Sequence, residues 1–386
     1  MIIKNGLVFT KDCHFQPLTI HTKNDTITAL SSSVCPLPDS AEPSDNHEKI
    51  IDATGCYVIP GLTDIHFHGC DGYDFCDGTE EAYKALAAFS LAHGVTSICP
   101  ATMTLPLDVL ERICKTAASF QSARQNLLLS DEADFIGIHM EGPFIHPKKK
   151  GAQKEAYIQY PHSSLVRQWL TASKGLVKLI SLAPELPGAL NCIAECKDNV
   201  AFSIAHTTAC YDQAKAAMKA GAFHVTHLYN AMPPFHHRDS GVIGAAFDTE
   251  NCYVELICDG IHISESVVRA TFRMFKNRVI LISDSMRATG KGDGTYTFGG
   301  QDVTVKGKLA TLSDGTIAGS VTPLFDCMRN AVSMGIPLEE AVASATINPC
   351  RSIGMEHLYG SILPGKKAHL LLLDKETLEI KSVIKG

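Results

Sequence analysis

Residues 60–70 read PGLTDIHFHGC, a short apolar run that ends in two histidines, His66 and His68. Alternate side chains of an extended chain point the same way, so both imidazoles would face one spot. Other apolar runs end alike: DFIGIHM at Glu141, VAFSIA at His206, FHVT at His227 and RVILIS at Asp284. Taken singly, each is a polar residue finishing a strand. Taken together, four imidazoles and two carboxylates are the ligand set for one or two divalent transition ions, with Glu141 able to bridge them. An ion in an open site lowers the pKa of bound water and polarises a carbonyl, which makes hydrolysis accessible near neutral pH. Hydrolysis also needs a base that takes the water proton and returns it to the leaving group. Asp284, in LISDSMRATG, is the candidate; its other reading is the N-cap of a following helix. Zinc, iron, manganese and cobalt all accept mixed imidazole and carboxylate ligands, so the residues do not name the metal.

For these groups to meet, the elements carrying them must point the same way. The runs YVIPGLTDI, VTSICPA, DFIGIHM, LVKLISLAP, VAFSIAHT, FHVTHL, CYVELICDG and RVILISDS alternate with helix-like segments. In TEEAYKALAAFSLAHG, Thr79 suits an N-cap and Gly94 a stop; LDVLERICKTAASF, DQAKAAMKAG and SESVVRATFRMF are of the same type. Eight strands alternating with helices predict an α/β fold, a (β/α)₈ barrel over residues 59–346 with reactive groups past the C-terminal strand ends. A doubly wound sheet is the alternative, but no G-x-G-x-x-G follows any strand. The stretch 1–58 is different. It holds short β-rich runs (IIKNGLVF, PLTIHT, TITALS, KIIDATGCYVI) separated by Asn, Asp, Pro and Ser clusters that read as turns. The tail, YGSILPGKKAHLLLLDKETLEIKSVIKG, has the same character, so 1–58 and 347–386 are expected to combine into one small β-sandwich.

Across 386 residues, 45% hydrophobic and 19% charged composition is that of an ordinary globular protein. No apolar run reaches the roughly 18 residues of a membrane helix, and MIIKNGLVFT lacks the order of a signal peptide, so a cytoplasmic protein is expected. The 14 cysteines lie scattered in apolar segments without a C-x-x-C pair, which favours reduced thiols over disulfides or a thiolate zinc. A net charge of -7 argues against nucleic acid or an anionic membrane as partner. It leaves room for a small anionic substrate held in a local cationic pocket.

With these residues in view the chain resembles the amidohydrolase superfamily, and within it the deacetylases of N-acetylated amino-sugar phosphates. The resemblance spans nearly the whole chain and is carried by PGLTDIHFHG, HMEGPFIHPKKKGAQ, AHTTA, VTHLYNAMPPFHHR, DGIHIS and LISDSMRATG. It implies hydrolysis of the acetamide of N-acetylglucosamine 6-phosphate, giving glucosamine 6-phosphate and acetate. It further implies Glu141, His206 and His227 as ligands of one ion, with His66 and His68 joining Glu141 and Asp284 at a second. Asp284 corresponds to the family's acid/base. His262 and Arg238 correspond to the residues that hold the sugar phosphate, with Asn230 and the backbone of Ala231 beside it; a guanidinium fork and an imidazolium suit a dianion. In the family the corresponding Arg reaches across a homodimer interface, so a homodimer is implied.

Two positions depart from the family pattern. Gln153 stands where many relatives carry a His that contacts the substrate carbonyl, and Gln donates a hydrogen bond without carrying a positive charge. His369, in KKAHLLLLD, stands where the superfamily usually places an Asp; the change is expected to be structural. Lys148 to Lys150 read as a solvated face or a capture patch near the mouth, and TLSDGTIAGSVTP as a hairpin returning to it. Three other functions stay open: a deacetylase for N-acetylgalactosamine 6-phosphate, a cyclic-amide hydrolase, and a non-catalytic sugar-phosphate sensor. Cyclic-amide hydrolases commonly bridge their metals with a carbamylated lysine, a slot filled here by Glu141. A sensor would require loss of a ligand or of the acid/base.

Overall fold

The structure, a computed structural model, describes residues 1–32, 49–124, 127 and 131–385. The Pro- and Ser-rich turn region expected between 33 and 48 lies outside them. Among the described residues eight parallel strands run along the middle of the chain, Leu62–Asp64, Val95–Ile98, Ile138–Glu141, Val177–Leu182, Ala201–Ile204, His224–Val225, Tyr253–Ile257 and Val279–Ile282, and the two-residue Asp134–Phe135, just ahead of the third, pairs parallel to the second. The last six are hydrogen bonded side by side in chain order, and the first two pair with each other. Across one junction Thr102 N donates to His139 O at 2.9 Å and His139 N to Pro100 O at 3.0 Å. Across the other, Asp284 N donates to His66 O at 2.9 Å and His68 N to Ser285 O at 2.8 Å.

Nearly every residue of these strands is buried, as parallel strands covered on both faces must be, which is why they read as continuous apolar runs. Gly61 is required at the start of the first strand, since a Cβ there would stand 2.1 Å from Thr96 Oγ1 in the second. Helices Glu80–Ala92, Leu107–Arg124, Ser163–Ala172, Tyr211–Ala220 and Glu265–Phe275 fill gaps between strands. Thr79 caps the first of these by accepting from Ala82 N at 3.2 Å, and Gly94 follows it at φ 79°. Their inner faces bury Tyr83, Phe120, Trp169 and Phe275 against the strands, each worth roughly 2–3 kcal/mol of hydrophobic stabilisation.

Both ends of the chain enter one seven-stranded sheet. Its order is Ile380–Lys385, His369–Asp374, Cys56–Pro60, Ile2–Phe9, Phe15–Lys23, Thr26–Ser32, with Ile50–Asp52 also beside Ile2–Phe9. Leu371 sits opposite Ile59, so the tail pairs antiparallel with the segment that leads into the first parallel strand. A separate core of Ile3, Ile20, Ile27, Val58, Leu370 and Leu372 underlies this sheet. The short helix Ile347–Ser352 instead packs on the parallel strands, with Asn348 Nδ2 donating to Val279 O at 2.8 Å.

After the eighth parallel strand no helix starts at Asp284. The chain forms a small antiparallel sheet, Gly294–Phe298, Gln301–Lys306 and Leu309–Thr311, which the sequence reading did not anticipate. Among the described residues no helix is long and apolar enough to cross a membrane, and every described cysteine is a free thiol.

Candidate metal and hydrolytic site

His66 and His68 lie just past the first strand, Glu141 ends the third, and His206, His227 and Asp284 follow the fifth, sixth and eighth. His206, His227 and Asp284 all adopt positive φ, at 44°, 30° and 46°. That conformation is costly for residues with a side chain, and finding it at three strand ends marks a place where the backbone is bent to aim side chains at a common point.

The four imidazoles converge on Glu141. His206 Nε2 and His227 Nε2 stand 3.2 and 3.1 Å from its Oε1, and His66 Nε2 stands 3.4 Å from the same oxygen. His68 Nε2 is 3.5 Å from Glu141 Oε2 and 3.3 Å from Asp284 Oδ1, which is 3.6 Å from His66 Nε2. Within these six, two sets of three have ligand atoms close enough to share an ion: His66, His68 and Glu141, and Glu141, His206 and His227.

The outer ring nitrogens decide what the inner ones can do. His66 Nδ1 faces Glu255 Oε2 at 2.8 Å, His68 Nδ1 faces Ala101 O at 3.2 Å, and His206 Nδ1 faces Lys149 O at 2.7 Å. Each partner only accepts, so each Nδ1 carries the hydrogen in the neutral ring and each Nε2 presents its lone pair to the centre. His66 Nε2, fully buried, has no hydrogen-bond partner of its own. The donor set therefore fits a divalent ion.

The electrostatics agree. Burial alone would raise the Glu141 carboxyl, but His206, His227 and His66 around it hold it well below the usual carboxylate range. Burial opposes ionisation of Asp284 too, and His68 and His66 outweigh it, so Asp284 stays a carboxylate able to accept a proton. Burial would lower His262; the hydrogen bond from its Nδ1 to Asp259 Oδ2, at 2.7 Å, reverses this and favours the cationic ring.

A cavity of about 320 Å³ opens above these groups. Its lining takes in His68, Glu141, Gln153, His206, His227, Asn230, Ala231, His262 and Asp284. His66 lies beneath the floor, fully buried. Arg238 is not brought to the cavity; it stands exposed on a surface loop, its backbone N–H donating to His236 Nδ1 at 3.3 Å. Lys148 and Lys149 line one side, and Thr316, Ile317 and Gly319 show that the glycine-containing loop returns to the mouth. Phe298, from the unanticipated sheet, closes another side with its ring centroid 5.0 Å from that of His68.

Sequence reasoning missed Phe298 and Met103 in the lining, and also the buried polar groups below it, His139, His224 and Glu255. A signal exists for Glu255, a charged residue inside the otherwise apolar strand YVELI.

Comparison with known proteins places the chain among its relatives. The amidohydrolase family matches residues 57–386. The N-acetylglucosamine-6-phosphate deacetylase of Bacillus subtilis (strain 168) is 35% identical over 377 residues, covering 96% of this chain and 95% of that protein. The N-acetylgalactosamine-6-phosphate deacetylase of Escherichia coli O157:H7 is 33% identical over 319 residues, covering 82% of this chain and 83% of its own. Among solved structures, a mutant N-acetyl-D-glucosamine-6-phosphate deacetylase of Mycobacterium smegmatis in complex with N-acetyl-D-glucosamine-6-phosphate superposes with a TM-score of 0.88. It is 30% identical and covers 100% of this chain and 97% of that one. On its sequence, its α/β architecture and its match over most of its length, this chain belongs to the amidohydrolase family.

Proposed function

We propose that this enzyme hydrolyses the acetamide of N-acetylglucosamine 6-phosphate to glucosamine 6-phosphate and acetate, with one or two divalent ions of zinc, iron, manganese or cobalt. The observation that carries the reading is the set of Nε2 lone pairs turned toward Glu141 and Asp284 on one cavity floor. Glu141, His206 and His227 would hold one ion, and His66, His68, Glu141 and Asp284 a second. A bound ion supplies Lewis-acid polarisation and a water of lowered pKa. Asp284 accepts the proton of the attacking water and returns it to the departing amine nitrogen. His262, whose cationic form Asp259 favours, binds the phosphate, with Asn230 and the Ala231 backbone beside it and Gln153 toward the acetyl carbonyl. Arg238 lies outside the cavity of a single chain, so its role as a second phosphate ligand requires a homodimer in which it completes the neighbouring site.

The same reading includes the architecture. The junction hydrogen bonds at His139 and at Asp284 support closure of the eight strands into a (β/α)₈ barrel over 59–346; the terminal segments meet in one seven-stranded sheet, which supports a joint terminal domain rather than a two-sheet sandwich, and Ile347–Ser352 packs with the barrel strands instead. Free thiols and a net charge of -7 support a cytoplasmic protein without nucleic-acid or membrane partners.

Steady-state rates on N-acetylglucosamine 6-phosphate and N-acetylgalactosamine 6-phosphate test the substrate. A kcat/KM at least about tenfold higher on the glucosamine epimer is expected, the discrimination that one misplaced buried hydroxyl contact gives. A reversed preference would overturn the assignment.

A further inference from the structure

A buried polar layer lies under the cavity floor, and the reaction described above draws on it only through the hydrogen bond of His66 Nδ1 to Glu255. Glu255, in the seventh parallel strand, is fully buried. Its Oε2 accepts from His66 Nδ1 at 2.8 Å and from the backbone N–H of His227 at 3.1 Å. One carboxylate oxygen thus touches one member of each three-residue ligand group. Its Oε1 has no hydrogen-bond partner and lies 3.7 Å from His224 Nε2, which also has none.

The rest of the layer runs in a single direction. His139 Nδ1 faces Ile65 O at 3.2 Å and must donate to it, so the neutral ring accepts at Nε2 from Ser181 Oγ at 2.8 Å. Burial and His66 push His139 down to about 3, which keeps it neutral. Ser181 then accepts from Thr226 at 2.8 Å, Thr226 from Ser203 at 2.5 Å, and Ser203 from His224 Nδ1 at 2.9 Å. His66, His139 and Glu255 lie close enough together to suggest a third ion site. Both nitrogens of His139 are engaged and His66 Nδ1 carries a hydrogen, so that group offers too few lone pairs to hold one.

We propose that Glu255 is the positioning residue of the metal centre, its single oxygen Oε2 holding both the His66 ring and the His227 backbone. This rests on the metal reading given above. A carboxylate buried without a cation beside it costs several kcal/mol unless donors compensate it, and a neutral amide would accept the same two hydrogen bonds more cheaply. What the charge adds is basicity at His66 Nε2, together with a fixed tautomer and ring orientation.

The test is metal binding by Glu255→Gln. Chelator-stripped protein is titrated with Co(II) in competition with a chromophoric chelator, and the visible spectrum of the bound ion is recorded. The variant is expected to bind Co(II) about ten- to hundredfold more weakly, with an altered spectrum, while its metal-free circular dichroism matches the wild type. Should Glu255→Gln fail to fold, Glu255→Asp, which keeps the charge but shortens its reach, is expected to show the same weakening. A folded variant with wild-type affinity and spectrum would overturn the role of Glu255. Wild-type protein that takes up no Co(II) would instead overturn the metal reading beneath it.

Discussion

Gln153 Nε2 stands 2.5 Å from Glu141 Oε2, while Gln153 Oε1 receives the backbone N–H of Thr104 at 2.6 Å. Because that N–H can only donate, the amide has one orientation: oxygen toward Thr104, NH₂ toward Glu141. One amide hydrogen is spent on Glu141, and the other remains for a substrate carbonyl. Gln153→Ala removes both contacts and orphans a buried N–H. It is expected to cost about 1–3 kcal/mol of stability, read from denaturant midpoints, and to lower kcat roughly tenfold or more. Unchanged stability and turnover together would remove Gln153 from the site.

Asp284 has its carboxylate 3.3 Å from His68 Nε2 and lines the cavity. Asp284→Asn keeps the shape and removes the proposed base. Turnover should fall about 10²- to 10⁴-fold, with the ion at Glu141, His206 and His227 retained by elemental analysis. Near-normal turnover would take proton transfer away from Asp284.

Arg238 is exposed in the single chain. If it completes the phosphate site of a neighbouring subunit, Arg238→Ala should raise KM for the phosphosugar about ten- to hundredfold, the size of one charge-assisted contact. Turnover of unphosphorylated N-acetylglucosamine should be unaffected. Light scattering should show a dimer; a monomer with full activity would contradict the shared site.

His369 gives a pH dependence remote from the chemistry. Burial lowers it to about 4, although Asp134, 3.6 Å away, pulls the other way. Its folded-state value thus lies below the ordinary 6.5, so the folded protein holds the neutral ring while the unfolded chain takes up a proton first. The stabilisation is fully present above pH 6.5 and is lost as pH falls toward 4, by about 3 kcal/mol over the whole window. Tm measured from pH 7 to 4 should fall less steeply for His369→Gln than for the wild type. Parallel curves would contradict it.

How much of this could be read from the sequence depended on range. Parallel strands buried on both faces leave unbroken apolar runs, and a polar residue ending each run exposed His66, His68, Glu141, His206, His227 and Asp284. Helix starts were legible where a local cap announced them, as at Thr79. Local pattern could not show pairings between distant segments, such as Leu371 opposite Ile59. Nor did it reveal the sheet bearing Phe298, whose short strands sit between glycine-rich stretches that read as turns. Glu255, His139 and His224 escape a sequence reading because a polar residue on a buried strand becomes meaningful only when its neighbours on adjacent strands are known.

The central claim is metal-dependent cleavage of the N-acetyl group of a phosphosugar. Its most direct test is acetate release from N-acetylglucosamine 6-phosphate and from unphosphorylated N-acetylglucosamine, after chelation and after adding back zinc, iron, manganese or cobalt singly. Release that is abolished by chelation, restored by at least one metal and strongly favoured by the phosphate is the predicted result. Release that persists undiminished without metal, or none with any metal, would contradict it.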